Sequence, residues 1–120
     1  MNVALFKESL VENKPPTDAS VYLNALWYDA KGDWDKAHKL IQDVDDKDAS
    51  WIHAYLHRKE GDTGNADYWY SRAGKKRSPL SLDEEWEEIV AALIRSHQLN
   101  GNALIICGFK VNTVLFTLPW

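Results

Sequence analysis

The stretches "ALWYDAKGDWDKAHKLIQDV" (residues 25–44) and "AYLHRKEGDTGNADYWYSRA" (residues 54–73) are one pattern written twice. Ala25, Gly32, Asp33 and Ala37 recur as Ala54, Gly61, Asp62 and Ala66, each 29 positions later. The large positions correspond as well: Leu26 with Tyr55, Trp27 with Leu56, Leu40 with Trp69, Ile41 with Tyr70. Apolar residues recur at helical spacing on both sides of the Gly-Asp pair. Each unit therefore reads as helix, turn, helix. Glycine allows the left-handed stop of the first helix, and aspartate caps the second. The paired alanines let the two helices approach closely.

The flanks extend this helical reading. Val3, Phe6, Leu10 and Val11 predict a short amphipathic helix over residues 3–13, ended by "NKPPTD". Thr17 or Asp18 is expected to cap the next helix, which runs to about Lys31. "DDKD" reads as a loop, with Asp48 capping "ASWIHAYLHRKE". "NADYWYSRA" is the fifth helix, closed by Gly74. "SLDE" is a capping box, in which Ser81 and Glu84 each bond the other's backbone N–H. A sixth helix follows to about His97, with Trp86, Ile89, Val90, Leu93 and Ile94 on its apolar side. The expectation is an all-α fold of about six helices, stacked as helical hairpins.

Composition then changes abruptly. All 18 acidic residues lie at or before Glu88, and Lys110 is the only charged side chain from Gly101 onward. "ALIICGF" and "NTVLFTL" are rich in β-branched and large apolar residues, and read as two short strands or one ragged hairpin. The organisation expected is a helical repeat domain over 1–99 and an apolar tail over 100–120, either an extension or the product of a non-native reading frame. The tail is too short and interrupted for a membrane span. Its apolar surface makes it a candidate for self-association.

With 120 residues, 45% hydrophobic and 27% charged, the chain suits one soluble domain. Six tryptophans supply large rings for a small core. A net charge of −4 argues against nucleic acid, which needs a basic surface. "RAGKKR" (72–77) is one short basic patch, followed by the repelling "DEEWEE"; Arg72 and Lys75 are expected to answer the carbonyl end of the fifth helix. The single Cys107 cannot form an internal disulfide and fits a reducing cytoplasm. "MNVALFKESLVENK" lacks the basic start and apolar run of a signal peptide.

At "GDWDKA" the chain resembles tetratricopeptide-like repeats, whose turn and small opening residue it matches. Ala25 and Tyr28 match positions of that family's first helix; Ile41, Tyr70 and Ala73 match positions of its second. It departs from the family in its shorter period and in Asn24 and His53, where leucine is usual. The pattern "LWYDAKGDWDKAH…WIHAYLHRKEGD…YWY", over about residues 20–94, is similar to a family of short bacterial proteins. The tetratricopeptide-like resemblance implies stacked hairpins and protein association, and no catalytic residue; the resemblance to the short bacterial proteins implies no function.

Catalysis finds no support in the residues: "GxSxG", a P-loop and a dinucleotide fingerprint are all absent. "DVDDKD" lacks the glycine and closing glutamate of a calcium loop. His53 and His57, four apart, share a helix face. A zinc site needs three or four ligands, and these are only two, so no metal or cofactor is assigned. Tyr68 is expected to be exposed, since a helix cannot bury Tyr68, Trp69 and Tyr70 on one stripe. With His53, His57, Arg58 and Arg72 it forms the candidate binding surface. The leading expectation is a non-enzymatic module that binds a protein or peptide. The alternative is a small-ligand or metal-binding protein using the His53, His57 and Tyr68 surface.

Overall fold

A computed structural model describes residues 1–102, with side chains through Ser96. The fold is all-helical: α1 (Val3–Glu8), a 3-10 turn (Ser9–Val11), α2 (Val21–Ala30), α3 (Trp34–Ile41), α4 (Lys47–Lys59), α5 (Thr63–Arg72) and α6 (Leu82–Asn102). There is no strand among the described residues. The tail reading, hairpin or otherwise, falls on residues 103–120, outside the described residues. Residues 100–102, placed with the tail by composition, are the last turn of α6.

The two repeat units are two hairpins, α2–α3 and α4–α5, with matching turns. Gly32 and Gly61 have φ of 88° and 89°. Gly32 N–H donates to Asp29 O and Asp33 N–H to Tyr28 O; Gly61 N–H donates to Arg58 O and Asp62 N–H to His57 O, 29 residues on. These bonds satisfy the carbonyls that a helix end leaves open. Asp33 then caps α3 by accepting from Lys36 N–H at 3.1 Å, and Asp62 caps α5 by accepting from Asn65 N–H at 3.3 Å. Ala25, Ala37, Ala54 and Ala66 are all fully buried, as close helix approach requires.

Helix starts differ from expectation where several polar residues compete. Ser20, not Thr17 or Asp18, caps α2 by accepting from Leu23 N–H. Asp46, not Asp48, caps α4 by accepting from Ala49 N–H. The expected first helix divides into α1 and a tighter 3-10 turn. The Ser81–Glu84 capping box forms as expected, with both bonds at 3.1 Å. Trp86, Ile89, Val90, Leu93 and Ile94 are buried along α6.

Helix α4 is the axis. Residues 49–57 are all buried, including Ser50, His53 and His57. A helix buried all round belongs at the centre of a fold. It packs on α5 most extensively, and also on α2, α3 and α6. Indole N–H groups tie the layers together: Trp34 donates to Leu56 O at 2.8 Å, Trp86 to Leu26 O at 3.0 Å, and Trp51 to Glu85 at 3.1 Å. No helix among the described residues is long and apolar enough to cross a membrane.

Candidate functional site: the seam between the hairpins

The five residues singled out in the sequence divide among three places. Tyr68 and Arg72 lie together on the outer face of α5. Tyr68 is 54% exposed, as expected. The Arg72 guanidinium lies 5.8 Å from the Tyr68 ring centre and 5.2 Å from that of Trp69. Arg72 also donates to Tyr68 Oη and to Asp45 Oδ1, both at 3.3 Å. Arg72 thus engages this rim rather than the end of α5, and Lys75 sits 4.1 Å from the centre of the Trp51 ring. Arg58 points the other way, toward α6. It donates to Glu85 at 2.6 Å and to Leu80 O.

His53 and His57 are buried, at 6% and 7% exposure, rather than lining an open surface. They form the floor of a seam where α3 meets α4. Their neighbour across it is His38 of α3, half-buried, which the sequence reading did not select. His38 Nε2 and His53 Nε2 are 3.0 Å apart, so one carries a proton and donates it to the other. The His57 ring centre lies 5.3 Å from that of His38 and 4.8 Å from that of His53. Trp34 stacks on His38 at 4.9 Å with an interplanar angle of 8°. Trp69 stacks on His53 at 4.0 Å and 18°. The histidines are therefore held between two indoles, and Trp69 connects them to the Tyr68–Arg72 rim.

Charge states follow from this placement. Burial first, then the neighbouring His38 and His57, push the His53 imidazolium down from 6.5 to about 4. Burial and His57 lower His38, against an upward pull from Glu60 and Asp35. Both rings are thus neutral at neutral pH. His57 Nδ1 lies 2.7 Å from Glu60 Oε1. A carboxylate only accepts, so Nδ1 is the donor of that bond and Nε2 is the ring nitrogen Glu60 does not engage.

The signal that could have found His38 was faint. It sits four residues after Trp34 and three before Ile41, beside the apolar stripe of α3. No family model matches the chain, and neither a curated protein nor a solved structure shows a significant match.

Proposed function

We propose that this chain is a small tetratricopeptide-like binding module, acting in the bacterial cytoplasm through association with another protein or peptide rather than through catalysis. The observation that carries this reading is the Tyr68–Arg72 rim. Tyrosine, tryptophan and arginine dominate the energetic centres of protein interfaces, because they offer large area and fixed polar groups at low entropic cost. Here all three stand on one helix whose other face is anchored by buried Ala66 and Tyr70. Arg72 is already oriented by two rings and Asp45, so little ordering remains to be done on binding. A fitting partner segment offers a carboxylate to Arg72 and an apolar side chain to Tyr68. The acidic balance of the chain, with a net charge of −4, supports a protein partner over nucleic acid.

A photoreactive phenylalanine in place of Tyr68, carried by the full chain in its host, tests this. The expected result is one discrete protein adduct that disappears when Arg72→Ala is added. No adduct, or an adduct indifferent to Arg72→Ala, counts against the reading.

A further inference from the structure

The floor of the seam has a chemistry the rim does not use. One ring nitrogen from each of His38, His53 and His57 lies within 4.8 Å of the other two. The histidines come from two hairpins and converge on one point, which two neighbours on a single helix could not achieve. We propose that His38, His53 and His57 form a three-nitrogen site for a divalent transition-metal ion of the zinc class, with a fourth position left for water or an exogenous ligand.

The geometry is close to what such an ion needs. Bonds of about 2.0–2.1 Å in a tetrahedron separate the nitrogens by about 3.3 Å. The 3.0 Å His38–His53 pair must open by only a few tenths of an ångström. The ion takes the place of the proton between these two nitrogens, and the ring that carried it shifts to its Nδ1–H tautomer by exchange with solvent, so both imidazoles stay neutral. Side-chain rotation closes the remaining distance to the third ring.

The surroundings have the features of a metal site's outer shell. Glu60 takes the Nδ1 proton of His57 at 2.7 Å, the carboxylate–histidine arrangement that fixes a ligand's tautomer and raises its basicity. The Trp34 and Trp69 indoles hold the planes of His38 and His53. His38 is half-buried and the Glu60 side chain is 38% exposed, so an ion has a route in. Three imidazole nitrogens select zinc-class ions over magnesium or calcium, which prefer oxygen. A second grouping of His57, Glu60 and Asp62 is less suited, because Asp62 caps α5 and His57 Nδ1 is already bonded to Glu60.

The test is calorimetric titration of the chelator-treated full chain with zinc chloride at neutral pH, followed by X-ray absorption of the zinc-loaded protein. The expected result is one ion per chain with a first shell containing three imidazole nitrogens. His38→Gln should abolish saturable binding while helical circular dichroism is kept. Glu60→Gln should weaken binding by about 10–100-fold. An absence of saturable binding, His38→Gln binding like the parent, or an oxygen-dominated shell would each overturn the site. Should His38→Gln fail to fold, the absorption spectrum of the unsubstituted protein decides by itself.

Discussion

Glu85 is fully buried, and it is the residue most of the polar core depends on. Its carboxylate accepts from Trp51 Nε1 and Arg58 of α4 and from Tyr70 Oη of α5. Removing one partner of a buried, bonded charge leaves the others unsatisfied, so Glu85→Ala should cost about 3–5 kcal/mol. The denaturant midpoint reports it; an unmoved midpoint would mean the network adds nothing net. "DEEWEE" reads as a solvated acidic run, yet Glu85 falls three residues after Leu82 and four before Ile89, on the apolar stripe. That register was legible; that the stripe would meet Arg58 and Tyr70 was not. His38 escaped for a related reason, since its meeting with His53 depends on how two hairpins pack, which periodicity does not encode. His53 carries a pH prediction. Its folded value, about 4, lies below its ordinary 6.5, so the unfolded chain binds more protons between them. Stability should be flat above pH 6.5 and fall as pH drops toward 4, by on the order of 2–3 kcal/mol from this residue. Denaturation across that range checks it, and His53→Gln should flatten the slope. A parent protein with no slope there would show that His53 is not buried as described.

The hairpin turn is the element that was read most completely, because its signals are local. A glycine at positive φ and a capping aspartate are dictated by backbone geometry alone, and both turns formed at their expected residues. Asp33→Ala and Asp62→Ala should each cost about 1 kcal/mol in a urea melt. The glycines give a sharper contrast. A Cβ at Gly32 or Gly61 would meet nothing within 4 Å, so any penalty is purely conformational. Gly32→Ala and Gly61→Ala should each lose about 1 kcal/mol. Gly64, inside the first turn of α5 and equally unobstructed, lacks the positive φ. Gly64→Ala should therefore stabilise by about 0.5–1 kcal/mol. Equal effects at all three glycines would contradict the role given to the positive φ of Gly32 and Gly61. The helix starts that were misplaced lie where the local code is degenerate. "DVDDKD" offers four aspartates as caps for α4, and the choice of Asp46 follows from the placement of the helix in the core, not from propensity.

At the scale of the molecule, α4 links the two hairpins and α6. It packs against both members of the first hairpin, against α5 and against α6, and it carries His53 and His57 to the seam. The sequence indicated hairpins and an apolar sixth helix; it did not indicate that α4 would be buried on every side, since its own pattern of His, Arg and Lys reads as half-solvated. Among the residues whose side chains are described, the buried positions of α6 end at Ile94. A chain shortened to residues 1–102 should therefore keep its helical circular dichroism and a cooperative melt; loss of cooperativity would make residues 103–120 part of the core. If α4 is the axis of the fold and of its binding seam, native-state hydrogen exchange of the full chain shows it most directly. The amides of residues 51–56 should open only with global unfolding, at the free energy given by denaturant melts, and more slowly than those of α1, α3 or α5. Opening of residues 51–56 at a lower free energy than α2 or α6 would mean that the hairpins separate without a shared central helix, and would contradict it.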